Sequence, residues 1–255
     1  MNFNQNENVK DKIIKYKILY SHIGGSKILI DKHISFLIYI NLEHRKDRNE
    51  IILKMLKNTD IKPEKILRFN AIKTDVGWLG CLNSHLECAK ILQEKIKNKE
   101  ISGNVMVIED DFKFMDNVSH VNSSLEYFFS KINDYDVLLL TSRRPKMLGE
   151  NTHTNTEHQN IFKSLKCHDS GGYIINSKYI GNIYNLWNNA FKEASTIDID
   201  INSHHHLRID NVWTKLMAKD NWYFIKPPIA MQYTSFSDCW KSTWKSNEDM
   251  YKGGN

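Results

Sequence analysis

A chain of 255 residues has room for one domain, or two small ones, and for a sizeable core; its 41% hydrophobic and 25% charged residues are ordinary for a soluble globular protein. The net charge of +5, from 35 basic and 30 acidic residues spread along the chain, suits an anionic ligand such as a nucleotide and lacks the basic clusters of a nucleic-acid binder. No apolar stretch approaches the ~18 residues of a transmembrane helix, and cysteines 81, 88, 167 and 239 include no CxxC pair, so they read as free thiols in a reducing compartment. The polar start, Met1 to Asn8, is not a signal peptide, and a cytoplasmic location is expected.

Residues 1–33 read as an N-terminal extension with a polar, partly disordered tip, followed by Ile13 to Tyr20 and Ile28 to Ile30 around Gly24-Gly25 as a short hairpin. Phe36-Leu37-Ile38-Tyr39-Ile40 is an unbroken apolar run, the pattern of a strand buried on both faces. It leads through Asn41 to Arg48 into a helix with Ile51, Ile52, Met55 and Leu56 on one side. Strand, polar turn and helix open a nucleotide-binding unit, with Arg45 and Arg48 near the helix start where phosphates would lie. Solvated charge is the plainer role for both. Ile66 to Ala71 reads as a second strand, and Gly77-Trp78-Leu79-Gly80-Cys81-Leu82-Asn83-Ser84-His85 opens a long helix. Its glycines would let backbone approach a ligand, with Ser84 and His85 facing a crevice; taken singly, His85 is first a packing histidine.

Asn104-Val105-Met106-Val107-Ile108 is a third buried run, and it ends abruptly in Glu109-Asp110-Asp111. The acids therefore sit at the C-terminal mouth of a strand, the edge of an open α/β sheet where ligands bind. Three adjacent carboxylates repel one another, so Mg²⁺ or Mn²⁺ clamping a diphosphate is the economical reading, against a solvated acidic turn. Asp198-Ile199-Asp200 before His204-His205-His206 could hold a transition metal but lacks a preceding apolar run. Asp134-Tyr135-Asp136 opens a strand, which points it away from that edge.

Further on, Val121 to Ile132 fits a helix, and Val137 to Leu140 a strand ending in Thr141-Ser142-Arg143-Arg144-Pro145. Residues 146–160 form a loop long enough to be a lid. Ser170-Gly171-Gly172-Tyr173-Ile174-Ile175 is a glycine-started strand before a helix with Ile180, Ile183 and Trp187. A helix from Arg208 to about Ala218, a strand Trp222 to Ile225, and an aromatic, basic tail complete the chain. Strands alternate with helices, which predicts an α/β three-layer sandwich with a mostly parallel central sheet.

Taken in order, several fragments resemble the family-25 glycosyltransferases, which include bacterial lipooligosaccharide and procollagen galactosyltransferases. They are Tyr39-Ile40-Asn41-Leu42 with Arg45, Asp47 and Arg48; Arg68-Phe69-Asn70-Ala71; Gly77 and Gly80-Cys81 with Ser84-His85; Ile108-Glu109-Asp110-Asp111; Gly172-Tyr173-Ile174-Ile175; Asp210 with Trp213; and Pro228 with Gln232, Ser237 and Asp238. The resemblance spans about residues 36–240, giving a domain over 34–240 and a C-terminal tail over 241–255. The richness in Asn, Ile and Lys is also similar to that of giant DNA viruses, whose location would be host cytoplasm or virion.

The resemblance implies a GT-A fold and metal-dependent, inverting transfer of a hexose from a UDP-sugar to a hydroxyl of a glycan or a collagen-like hydroxylysine. It makes Glu109, Asp111 and Asp238 metal residues for Mn²⁺ or Mg²⁺, with Glu109 where the family's motif has Asp. Asn41, Arg45, Arg48, Ala71, Ser84, His85 and Asp110 would lie near the sugar nucleotide, and Gly172 and Trp213 near sugar or acceptor. Inversion needs one general base; Asp210 is the candidate, with helix N-cap as its alternative role, and Asp238 could equally be a turn residue. Competing readings are a two-metal nuclease or phosphatase, and a carbohydrate-binding or inactive glycosyltransferase-like module using Trp213, Trp222, Trp240 and Trp244. No nucleic-acid partner is expected; oligomeric state stays open.

Overall fold

The computed structural model describes residues 13–14, 26–147, 160–198, 204–239 and 241–244. In chain order the first half comprises β1 (Ile13–Ile14), β2 (Phe36–Asn41), α1 (Lys46–Lys57), β3 (Ile66–Asn70), α2 (Gly77–Lys97), β4 (Asn104–Glu109), β5 (Phe112–Phe114), α3 (Val118–Lys131) and β6 (Val137–Leu139). The second half comprises β7 (Arg143–Met147), β8 (Ile161–His168), β9 (Gly172–Asn176), α4 (Ile180–Ala194), α5 (Ile209–Val212), α6 (Thr214–Met217), β10 (Trp222–Ile225), β11 (Ala230–Gln232), β12 (Ser235–Ser237) and β13 (Ser242–Trp244). Among the described residues, nine strands form one central sheet in the order β1-β3-β2-β4-β9-β6-β10-β8-β7.

The unbroken apolar runs are strands covered on both faces. Ile38, Ile40, Val105, Val107, Val137 and Ile175 point into a core shared with α2, α4, α5 and α6. Their neighbours Leu37, Tyr39, Met106, Ile108, Leu138 and Ile174 point into a second core with α1 and α3. Side chains alternate across a strand, so a run apolar at every position feeds both cores at once. Residues 105–108 of β4 are no more than 1% exposed, each burial worth about 1.5–3 kcal/mol. The three-layer α/β reading holds.

The sheet is mixed, where a mostly parallel one was expected. The pairs β2·β3, β2·β4 and β6·β10 are parallel, but β9 lies antiparallel between β4 and β6, and β8 is antiparallel to both β10 and β7. β8 and β9 run in the same direction with Asp169, Ser170 and Gly171 between them, and β6 and β10 lie between the two in the sheet, so one nearly continuous segment supplies two antiparallel partners. A buried apolar run carries no mark of its direction, so this was not visible in the sequence.

Near the N-terminus, Ile13–Ile14 pairs antiparallel with Phe69 and Arg68 of β3, and Ile28 bridges Thr59, while residues 15–25 of the expected hairpin lie outside the described residues. Ile28, Ile30 and Ile34 are buried in the core beside α1 and α3, which extends the packed body upstream of residue 34. The expected disordered tip lies outside the described residues, as does most of the expected lid, residues 148–159. At the other end, β13 pairs with β12, so the start of the expected tail is part of a two-stranded ribbon. The helix expected from Arg208 to Ala218 is broken at Trp213 into α5 and α6.

Candidate active site

Parallel β3, β2 and β4 end side by side at Asn70, Asn41 and Glu109. Beyond those ends lies a cavity of about 500 Å³ whose wall includes Arg48, Ser84, Glu109, Asp111, Asp169 and Asp210. It also includes His85, Asp110, Asp238 and Ala71, so ten residues from seven separate stretches of the chain share one crevice at the strand mouths. Asp134 and Asp136, at the start of β6, bond Asn221 and do not line it.

The three consecutive acids have different surroundings. Asp110 is saturated: Arg48 Nη1 donates to Oδ1 at 2.6 Å and Asn41 Nδ2 to Oδ2 at 2.7 Å. Arg68 in turn donates to Asn41 Oδ1 at 2.6 Å, which completes a buried Arg68–Asn41–Asp110–Arg48 chain. Asp111 is less provided for: Gln232 Nε2 donates to Oδ1 at 3.1 Å, and Oδ2 lies 3.4 Å from Arg48. Burial, and next the charge of Glu109, push the Asp111 carboxyl well above the carboxylate range. For Glu109, burial is outweighed by His85, Ser170 and Arg48, which hold its carboxyl below its usual value. Ser170 Oγ donates to Glu109 Oε1 at 2.6 Å, His85 Nε2 lies 3.3 Å from the same oxygen, and Gln232 Nε2 donates to Oε2 at 3.3 Å.

A fourth acid, Asp169, escaped the sequence reading. It sits between β8 and β9 with φ at 119°, a positive value that non-glycine residues adopt at a cost of about 1–3 kcal/mol. Its Oδ1 accepts from Thr141 Oγ1 at 3.0 Å and from the Gly171 amide at 2.8 Å, while Oδ2 is buried without a hydrogen bond. Burial pushes its carboxyl up to about 6. An acid two residues before a Gly-Gly strand start, in Asp169-Ser170-Gly171-Gly172, was the available signal.

Four carboxylates on one wall, with Arg48 the cation bonded to two of them, fit a divalent cation. The Gln232 amide bridging Glu109 and Asp111 offers a partial positive charge where a bridging cation would supply a full one, and hard oxygen donors are what Mg²⁺ and Mn²⁺ take. Asp238 lines the same cavity with other partners. Its oxygens bond His44 at 3.1 Å and Arg45 at 2.7 Å, and those hydrogen bonds outweigh burial and hold its carboxyl below its usual range.

The other expected residues divide. Arg45 is tied to Asp47, Asp238 and the Phe236 carbonyl and, like Asn41, is outside the cavity lining. Ser84 Oγ donates to the Gly80 carbonyl and accepts from the Ile72 amide, which fastens the β3–α2 loop. Asp210 lies in the first turn of α5, whose N-cap position belongs to Arg208, and its Oδ2 is 4.0 Å from Arg143. The N-cap role therefore falls away. Trp213 is 1% exposed and donates Nε1–H to the Cys167 carbonyl; packed among Tyr173 and Trp222, it presents no face to a sugar. Gly172 is also buried: a side chain there would meet the Phe112 ring at 2.5 Å, so its smallness serves packing rather than ligand contact. Gly77 is small for a similar reason, because a Cβ would come within 2.5 Å of the Cys239 backbone.

A scan against protein-family models finds no match for this chain, and a search of curated proteins finds none. Solved structures do show likenesses. Mannose-1-phosphate geranyltransferase from Thermus thermophilus aligns at 8% identity over 76% of this chain and 73% of that one, TM-score 0.39. A197 from STIV aligns at 11% over 84% and 95%, TM-score 0.38, and mouse xyloside xylosyltransferase 1 at 12% over 74% and 71%, TM-score 0.37. At such scores the likeness carries no functional argument, and site geometry has to do so alone.

Of the aromatics offered for a binding module, Trp213 and Trp222 are buried, while Trp240 and the side chain of Trp244 lie outside the described residues. His204 Nε2 lies 3.1 Å from the Asp198 carbonyl and His206 3.3 Å from Glu193; residues 199–203 lie outside the described residues, and none of these four residues lines the cavity. Among the described residues, no helix is long and apolar enough to cross a membrane.

Proposed function

We propose that this chain is a metal-dependent glycosyltransferase of GT-A type that moves a hexose from a UDP-sugar onto a hydroxyl of a glycan or collagen-like acceptor, with inversion. The observation that carries the reading is the acidic end of β4: three consecutive carboxylates on the wall of a 500 Å³ cavity, with Asp111 short of compensating charge. A cation held by Glu109 and Asp111 would neutralise charge building on the departing diphosphate.

The chain's own residues account for the remaining steps. Arg48 fixes Asp110 and steadies Asp111, which keeps the acidic wall in register. Arg143 and Arg208 give the cavity cationic groups for phosphate oxygens, and Ala71 and Ser84 supply a small wall on which a nucleoside fits. Asp210, beside Arg143, offers a carboxylate base on the same cavity. As the acceptor oxygen bonds to the anomeric carbon, the bond from that carbon to the diphosphate breaks and the diphosphate leaves with the electron pair. The hydroxyl proton passes to Asp210.

Thermal melting in the presence of UDP and Mn²⁺ tests this. Stabilisation is expected only with both together, reaching about 2.7 kcal/mol at a nucleotide concentration 100 times the dissociation constant, and vanishing in Asp111→Asn. A UDP effect that ignores the metal, or no effect, would overturn the reading. The Asn-, Ile- and Lys-rich composition supports a viral source and hence collagen-like or capsid-fibril glycans as acceptors.

A further inference from the structure

On the same cavity wall a second donor set has a different chemistry. We propose that Cys81, His85 and Glu109 bind a thiophilic divalent cation of the Zn²⁺ class. One ligand atom from each lies within 4.8 Å of the other two. Cys81 and His85 are four residues apart on α2, hence on one helix face, and Glu109 closes the triangle from the end of β4.

His85 Nε2 and Glu109 Oε1 are 3.3 Å apart, the ligand-to-ligand spacing of a tetrahedral site whose metal–N and metal–O bonds are about 2.0–2.1 Å. Cys81 Sγ lies within 4.8 Å of both, so it needs at most a little over ~1 Å of movement to reach its bonding distance. His85 Nδ1 is bonded to Tyr173 Oη at 2.6 Å, the outer contact that orients a metal-binding imidazole and fixes its tautomer. Thiolate and carboxylate together supply two negative charges, which cancel the ion; the thiol proton leaves to solvent on binding. Three protein ligands on a cavity wall leave the fourth position open to the cavity, the pattern of a reactive site rather than a closed structural one.

This inference goes beyond the transfer reading and does not rest on it. Glu109 is common to both donor sets, so a thiophilic ion held here draws Glu109 toward Cys81 and away from Asp111. The test is Co²⁺ titration of the reduced, chelator-treated full chain, with no nucleotide present. One Co²⁺ per chain is expected, with a thiolate-to-cobalt charge-transfer band in the near ultraviolet. Cys81→Ser should lose that band, Tyr173→Phe should weaken binding about 10-fold, and Asp111→Asn should keep it. No thiolate band in the wild-type chain, or one that survives Cys81→Ser, overturns the proposal. Should Cys81→Ser fail to fold, alkylation of the wild-type chain decides. Zn²⁺ must then protect Cys81 while Cys239 still reacts, and undiminished labelling of Cys81 overturns the proposal.

Discussion

Two acidic clusters stand at opposite ends of the central sheet, and they have met different fates. Asp134 and Asp136 precede β6, where both bond Asn221: the Asp136 carboxylate accepts the Asn221 amide at 2.8 Å, and Asp134 accepts its side chain at 2.9 Å. Glu109, Asp110 and Asp111 close β4, where burial removes them from water and their charges face one another. In the first cluster each acid has a local hydrogen-bonding task. In the second, Asp110 is saturated by Arg48 and Asn41, while Asp111 carries an electrostatic cost beside a cavity. Both clusters are carboxylates; which end of the strand bears them decides whether they meet local hydrogen-bond donors or crowd together beside a cavity.

That contrast can be broken most severely at Arg48. Replacing it with Met leaves Asp110 buried with Asn41 as its remaining side-chain donor, and should cost about 3–5 kcal/mol in urea unfolding. A loss below about 1 kcal/mol would show that Asp110 does not depend on the pair. Asp111→Asn should cut transfer by about 100-fold or more while leaving unfolding stability at neutral pH equal or higher, because it removes a disfavoured charge. A parallel fall in stability would make Asp111 structural.

Asp169 gives a pH-dependent version of the same argument. Its folded carboxyl is raised from 3.8 to about 6, so between those values the folded state holds a proton that the unfolded chain has lost. The contribution of Asp169 to stability should therefore fall as pH rises through about 4–6, and Asp169→Asn should gain up to about 3 kcal/mol over wild type at pH 7–8 but little near pH 4. Denaturant melts at both pH values check the sign; an equal effect at both would remove ionisation as the cause. Smallest of all, Asp136→Asn keeps the oxygen that accepts from Asn221 and should move stability by no more than about 0.5 kcal/mol, with transfer unchanged.

The strands that place the site were legible because β2, β4, β6 and β10 are apolar at nearly every position, a pattern only a doubly covered strand requires. The position of the acids at a strand mouth followed from the same runs. Strand direction and remote pairing did not. β8 buries Ile161, Ser164 and Cys167, a spacing with neither period 2 nor a clean helical repeat, and its pairing with β7 shifts register. The pairing of Arg45 with Asp238 spans 193 positions, so the ion pair made by the acid expected at a metal could not be read from local sequence. Trp213 had the composition of a stacking platform but the burial of a core residue; side-chain type alone does not tell which side of a helix meets the cavity.

The central claim is that the β4 mouth cleaves a sugar nucleotide, and the direct measurement is release of free nucleoside diphosphate from a panel of sugar nucleotides with Mn²⁺ and no acceptor. The account predicts slow, selective hydrolysis of one UDP-sugar, abolished in Asp111→Asn and intact in Asp136→Asn. Release from none of the donors, or equal release by Asp111→Asn and wild type, would contradict it.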